Sequence, residues 1–551
     1  MPEPRPFTVP ELTVPDLLSG AVATVPDNVA LDFLGAPTTY RELADEVDRA
    51  AALLSAAGVR AGDRVALVLP NCPQHVVAFY AVLRLGAVVA EHNPLASPAE
   101  LRAQLDAHGA RVVICWERSL DRVCPDGDLG GRTVLSVDLT AGLPLRSRLL
   151  LRLPLRAARA QRAAMRGPVP PGVIGWEREL RRIPPLRAAH PGPKQHDPAV
   201  LLHTGGTTGT PKAVVLTHRN LVANVAQNAS WVAGLRHGAE VFSAVLPFFH
   251  AFGLTLSLTT AVHLGATQVV LPRFDTDMVL AAMRRRPVTF FGGVPPMFAR
   301  LAAAAEERGQ DLGSVRYAIS GAMALDGVVA ATWERLTGGL IIEGYGMTET
   351  SPVALGNPLG PDRRPGALGL PFPGTEVRVV DPEEPTVDVP DGEVGELLVR
   401  GPQVFAGYWA DAAATADVML EGGWLRTGDL VRRDRDGFVT LADRRKELII
   451  SGGFNVYPSQ VEDAVRPMPG VRDVAVVGVP DGPRGERVVA ALVLEPGADV
   501  DLAAVRRWAQ DRLSAYALPR AVTVLDELPR SQLGKVLRRV VREQLLAAQP
   551  A

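Results

Sequence analysis

The chain has 551 residues, too many for one hydrophobic core, so two or more domains are expected. Charged residues make up 21% and hydrophobic ones 47%, ordinary for a soluble globular protein. A net charge of -2 excludes a global field that recruits nucleic acid, so any anion binding must be built locally.

The opening stretch, MPEPRPFTVPELTVPDLLSG, carries acids and prolines and lacks an apolar run, so no signal peptide is expected. TYRELADEVDRAAALLSAAG then predicts a helix with a capping box from Thr39 to Glu42. Leu43, Val47, Ala50 and Leu54 share one face, and Gly58 marks the stop. RVALVLP reads as a short buried strand, followed by a helix over 74–85 and a strand over 87–90. Strands and helices alternating at this spacing predict βαβ units and a parallel sheet covered on both sides. Cys72, Cys115 and Cys124 show no CxxC spacing, which fits buried apolar positions in a reducing, cytoplasmic setting better than a disulfide framework or zinc site.

Residues 146–166 hold seven arginines and no acids, among leucines and alanines. One reading is a solvated, partly helical insertion. The other is an amphipathic segment resting on the anionic inner face of a membrane, where a greasy substrate is found, although Pro154 would break one long helix. The βαβ rhythm returns between Ala199 and Ile342. Within it, the nearly uncharged stretch 254–272 contains Thr, Ser and Gly265 and predicts a buried helix and strand, not a membrane span. After about Pro371, short strands between Gly, Asp and Pro turns suggest antiparallel sheet. A small α+β domain is expected from Asp443 onward. The predicted fold class is therefore α/β: a large domain, 1–442, of doubly wound sheets with a β-rich subdomain, and a small domain, 443–551.

The densest chemical signal is LLHTGGTTGTPKAVVLTH, 201–218. Gly205, Gly206 and Gly209 let successive N–H groups face inward as a phosphate nest. Thr204, Thr207 and Thr208 add hydroxyls, and Lys212 adds a mobile charge. It is not a Walker A loop, because Pro211 precedes the lysine and no Ser or Thr follows it.

This loop resembles the signature of the acyl-adenylate-forming superfamily, the AMP-dependent synthetases and ligases, and most of all its fatty acyl-CoA synthetases. EGYGMTETSP (343–352), ISGAMAL (319–325), TGD ending at Asp429, DRRK at 443–446 and GK at 534–535 match further family motifs in order. The resemblance implies ATP and CoA as co-substrates, Mg²⁺ as cofactor and a small-molecule carboxylic acid as partner. It implies that Gly321, Ala322, Glu343, Gly344 and Tyr345 border the adenine, and that Thr348 binds the α-phosphate. Glu349, with Thr204, would hold Mg²⁺. Asp429 would bind the ribose, supported by Arg444 with Lys446 nearby, and Lys535 would be the catalytic lysine of a mobile tail domain hinged at Asp443. His250, in LPFFHAFGL, would border the acyl pocket and approach the carboxylate or phosphate. Gly452 and Gly453 would leave room for the pantetheine arm of CoA. Departures from the family pattern are Ala213 after the lysine, SGAMAL for the commoner SGGAPL, and Glu343, where other residue types also occur. The apolar surroundings of His250 favour a medium- or long-chain fatty acid, with an aryl acid second. An acyl-AMP ligase loading a carrier protein, an oxygenating or light-emitting relative, and a silent nucleotide-binding or membrane-associated module are the alternatives.

Overall fold

The computed structural model describes residues 7–186, 192–204, 212–451, 454–481, 486–531 and 534–547. Two large mixed sheets dominate. One has eight strands, its parallel centre made by Arg64–Val68, Val88–His92, Val112–Trp116, Thr133–Val137 and Pro198–His203. The other has nine, with Val29–Phe33, Thr267–Val270, Val241–Ala244, Phe290–Gly293, Tyr317–Ser320 and Leu340–Gly346 in parallel. The helix Pro73–Arg84 is buried at every position from Pro73 to Leu83, as befits a helix apolar all round. Together with the helix His218–Trp231 it packs into one apolar cluster that takes side chains from both sheets.

Local signals act as expected. Thr39 caps the helix Tyr40–Ala56: its N–H donates to Glu42 Oε2 at 2.8 Å, and its hydroxyl accepts the Glu42 N–H at 3.2 Å. Leu43, Val47, Ala50 and Leu54 are all buried. The stretch after Leu254 forms a buried helical run, Gly253–His263 in two pieces, and the strand Thr267–Val270. All three cysteines are buried and unpaired. Pro154 does divide the arginine-rich stretch, which forms two short helices, Leu145–Leu150 and Arg156–Met165.

One connection departs from the parallel rhythm. Pro198–His203 and Ala213–Thr217 are antiparallel, with His203 opposite Ala213. The intervening nine residues are too few for a crossover, which needs about a dozen, so the nucleotide-loop candidate closes a hairpin.

Beyond Pro371, Glu376–Val380, Val394–Arg400, Met419–Leu420, Trp424–Arg433 and Val439–Arg444 form an antiparallel five-stranded sheet. The remaining chain builds a three-stranded sheet, Val471–Pro480, Glu486–Leu494 and Ala521–Val524, with helices Pro458–Val465, Leu502–Ala509 and Arg538–Ala547. Its apolar clusters contain only residues from 449 onward.

Candidate active site

The nine-stranded sheet changes direction at Leu340–Gly346, which pairs in parallel with Tyr317–Ser320 on one side and antiparallel with Val353–Gly356 on the other. Crevices beyond the carboxyl ends of parallel strands are where open α/β sheets bind ligands. Ser320 lies opposite Glu343 here, so Gly321 and Ala322 leave one strand beside Gly344 and Tyr345 of the next.

Gly321 is required by close packing. A Cβ at this position would stand 2.9 Å from Cε1 of Phe252. Ala322 adopts φ +66°, a left-handed conformation that disfavours any residue with a Cβ. Glu343 does not hang free. Its carboxylate accepts the Gly366 N–H at 2.8 Å and the Leu325 N–H at 3.4 Å, fastening both ends of this segment.

Two side-chain groups gather around this strand and the turn that follows it. In the first, the Tyr345 hydroxyl donates to Asp429 Oδ2 at 2.6 Å, while Arg444 Nε lies 3.2 Å from Oδ1. Asp429 and Arg444 are direct cross-strand partners, which explains why TGD and DRRK belong together. Lys535 joins this group from the tail. Its pKa falls from 10.5 to about 8, through burial first and then the Arg444 charge, against the pull of Glu447 and Asp429. A tight turn holds it, with Ser531 N–H donating to the Lys535 carbonyl at 2.7 Å. Gly534 in that turn has φ +80° and sits against Pro296 and Met323; a Cβ there would be 3.7 Å and 3.9 Å from their side chains.

The second group surrounds Glu349, in the short turn Thr348–Thr350. Glu349 is 6% exposed, and its Oε1 accepts the Tyr408 hydroxyl at 2.8 Å. Lys212 Nζ lies 4.8 Å from the centre of the Tyr408 ring, within cation–π range. Burial pushes the Glu349 carboxyl above the ordinary range, against that hydroxyl and the charges of Lys212 and Lys446. Thr204 stands at the hairpin's mouth, its N–H donating to the Lys212 carbonyl at 3.0 Å. Gly205, Gly206, Thr207, Thr208 and Gly209 lie outside the described residues, as do Gly452 and Gly453.

His250 sits apart from both groups. Its Nδ1 accepts the Phe252 N–H at 3.2 Å, so the neutral ring carries its proton on Nε2. Burial lowers its pKa to about 4. Phe252 links it to the cleft, since the same ring abuts Gly321. Asp443 is buried and accepts the Ser459 N–H at 2.9 Å, tying the last strand of the five-stranded sheet to the first helix beyond it.

Sequence reasoning missed Tyr408, Glu447 and Arg538. Tyr408 follows Gly407 in a turn-rich stretch, where an aromatic reads as packing. Arg538 forms ion pairs with Glu447 and Glu462, the latter at 2.6 Å, and so braces the base of the tail lysine's turn.

A site beyond the carboxyl ends of a parallel sheet, with Lys535 electrostatically coupled to Arg444 and Asp429 there, has the groups that an adenylate-forming enzyme needs. The comparisons agree. Residues 18–409 match the model of the AMP-binding enzyme family and 460–535 that of the AMP-binding enzyme C-terminal domain, so the chain belongs to this family. It is 36% identical over 550 residues to a long-chain-fatty-acid–CoA ligase of Bacillus subtilis, covering 98% of this chain and 96% of that protein. It is 34% identical to a sulfoacetate–CoA ligase of Cupriavidus necator, covering 96% and 98%. The crystal structure of ATP-bound MatB from Rhodopseudomonas palustris superposes with a TM-score of 0.83 at 30% identity, covering 97% and 99%.

Proposed function

We propose that this protein is an ATP-dependent acyl-CoA ligase that adenylates a medium- or long-chain fatty acid and passes the acyl group to CoA, releasing AMP and pyrophosphate. The acid–thiol ligase class rests on the family and on relatives that are CoA ligases over nearly their whole length. The fatty-acid class is supported by the relatives named long-chain-fatty-acid–CoA ligases and by the buried apolar side chains Phe248, Phe252 and Leu254 beside His250 in the chain. The mechanism is supported by the electrostatic coupling of Lys535 to Arg444 and Asp429, and by the hydrogen bond from Tyr345 to Asp429.

The first half-reaction brings two anions together. The substrate carboxylate attacks the α-phosphorus in line, the bond to the β-phosphate oxygen breaks, and pyrophosphate leaves. Lys535 and Lys212 offset that repulsion in a cleft screened from water, where charges act more strongly. Thr348 donates to the α-phosphate, the hairpin from Thr204 to Lys212 cradles the outer phosphates, and Asp429 and Arg444 hold the ribose. Glu349 and Thr204 offer the hard oxygen donors that suit Mg²⁺, which would supply further neutralisation of phosphate charge. The Nε2–H of His250 is the donor offered to the substrate carboxylate. In the second half-reaction the small unit, 443–551, turns about Asp443 and withdraws Lys535. The thiol of CoA then attacks the acyl carbonyl, and AMP departs carrying the bridging oxygen.

The test is ATP–pyrophosphate exchange over a panel of acids from octanoate to oleate, with benzoate, followed by thioester formation with free CoA or a carrier protein. Fatty-acid-dependent exchange and acyl-CoA product are expected. Benzoate as the best substrate, or a thioester formed only on the carrier, would replace this reading with one of its alternatives.

No helix among the described residues is long and apolar enough to cross a membrane. Peripheral contact through 146–166 is favoured by one feature: Leu145, Leu149, Leu150, Leu153 and Leu155 are all exposed, from 42% to 69%, among arginines. Arg166 pairs with Glu117 at 2.9 Å, whereas the other six arginines form no ion pair among the described residues. Each cation near an anionic surface adds about 1 kcal/mol. Co-sedimentation with phosphatidylglycerol vesicles but not phosphatidylcholine vesicles is expected, and equal sedimentation with both would remove this role.

A further inference from the structure

Three histidines outside the nucleotide cleft converge within the eight-stranded sheet. His92 ends the strand Val88–His92, His203 ends its parallel neighbour Pro198–His203, and His108 ends the helix Pro98–His108. One ring nitrogen of each lies within 4.8 Å of the others. Ring centroids are 4.7 Å (His92 and His203), 5.0 Å (His92 and His108) and 5.8 Å (His108 and His203) apart. His92 and His108 are almost fully buried.

Hydrogen bonds assign the protons. His203 Nδ1 lies 3.1 Å from the Glu91 carbonyl, which only accepts, so Nδ1 carries the hydrogen and Nε2 a lone pair. That Nε2 is sealed from solvent and has no hydrogen-bond partner among the described residues. His92 Nδ1 donates in the same way to Gln104 Oε1 at 2.8 Å, and the Gln104 amide is oriented by Glu100 at 3.2 Å. Both rings therefore aim lone pairs at a common point while an oxygen holds the opposite N–H, as metal-ligating histidines do. His108 differs, since its Nδ1 accepts the Ala110 N–H at 3.3 Å and its Nε2–H is left to donate to His92 Nε2 at 2.9 Å. That network satisfies His92 and leaves a buried acceptor on His203 unpaired among the described residues, which native interiors rarely tolerate.

We propose that His92, His108 and His203 form a transition-metal site, with Zn²⁺ the preferred ion, at the end of the strand that leads to Thr204. Three imidazoles without carboxylate or thiolate suit Zn²⁺ and not the hard ions Mg²⁺ or Ca²⁺. With Zn–N bonds of about 2.0–2.1 Å, tetrahedral ligand nitrogens stand about 3.3 Å apart, so the 2.9 Å between His92 and His108 need open only slightly. On binding, the His108 proton moves from Nε2 to Nδ1 and the 3.3 Å bond from Ala110 is given up. All three rings stay neutral and no electron is transferred. The ion joins two sheet strands and a helix at the residue that precedes Thr204.

Full-length protein stripped with EDTA, desalted and titrated with zinc chloride is expected to retain one equivalent by elemental analysis. Its melting temperature should rise with Zn²⁺ and not with Mg²⁺. His92→Gln and His108→Gln are each expected to weaken retention at least about 100-fold. Co²⁺ loaded into the wild-type chain should give the intense visible absorption of a tetrahedral site, a readout that needs no variant to fold. Failure of the stripped wild type to retain Zn²⁺, a weak octahedral Co²⁺ spectrum, or undiminished retention by the folded variants would each overturn the site and leave a hydrogen-bonded histidine network.

Discussion

Replacing Lys535 by methionine separates the stability of the tail turn from its chemistry. At pH 7 this lysine is charged in both folded and unfolded chains, yet its pKa in the folded protein is lowered from 10.5 to about 8. A depressed lysine costs stability below about pH 8, and the cost fades as pH climbs toward 10.5, where the unfolded chain binds more protons than the folded one. The full displacement is worth about 3 kcal/mol, and solvent screening of a half-buried side chain reduces that to about 1–2 kcal/mol. Lys535→Met keeps the stem packed and removes the charge, so the melting temperature at pH 7 should stay level or rise. Acid-dependent ATP–pyrophosphate exchange should meanwhile fall about 10²–10³-fold, the cost of losing one electrostatic donor to a transition state. Thioester formation from supplied acyl-adenylate and CoA should persist, because the proposed mechanism needs Lys535 only in the first half-reaction. In the wild type, kcat/KM for exchange should decline above about pH 8, as the free enzyme loses this proton. Wild-type exchange in the variant refutes the lysine's role, and a marked drop in melting temperature refutes the claim that its charge is held at a cost.

Tyr408→Phe removes the 2.8 Å hydrogen bond to Glu349 and should raise the Mg²⁺ concentration needed for exchange about tenfold or more. The acid limb of activity should also move to higher pH, since the Glu349 carboxyl is already raised and loses a donor that favours its charged form. An unchanged Mg²⁺ dependence would separate Tyr408 from the metal's carboxylate. Gly321→Ala places a Cβ 2.9 Å from Phe252 and should cost about 1–3 kcal/mol by overpacking, read as a lower melting temperature and a higher KM for ATP. Adding Phe252→Leu should restore both, and no rescue would mean that the clash is relieved elsewhere. His250, with a pKa of about 4, stays neutral at physiological pH. His250→Ala should therefore lower kcat/KM by a similar factor from pH 6 to pH 8, whereas a loss confined to the acid side would show that the charged ring acts.

What was legible in the sequence was held by neighbours along the chain. The face of Leu43, Val47, Ala50 and Leu54 follows from helical spacing, and the cap at Thr39 from two residues three apart. The pairing of Asp429 with Arg444 is nearly as local, two strands joined by a short turn. The hairpin before Lys212 was less legible, because Gly and Thr density signals a phosphate nest without fixing the direction of the strand that leaves it. Tyr408 and the histidine triad were not legible at all. Gly407–Tyr408 pairs with Val214–Val215 at the sheet edge, and only that pairing brings the phenol to Glu349 and beneath Lys212. His92 and His203 likewise become neighbours through the parallel pairing of Val89–Glu91 with Val200–Leu202. A parallel sheet sets side by side residues whose separation is the length of whatever the crossover contains. No spacing motif can encode such contacts, so an isolated histidine on a strand end reads as core until its neighbours are known. The same reasoning makes the triad the sharper test of the fold: its zinc affinity depends on sheet register, whereas the nucleotide motifs would be present in the sequence whatever that register was.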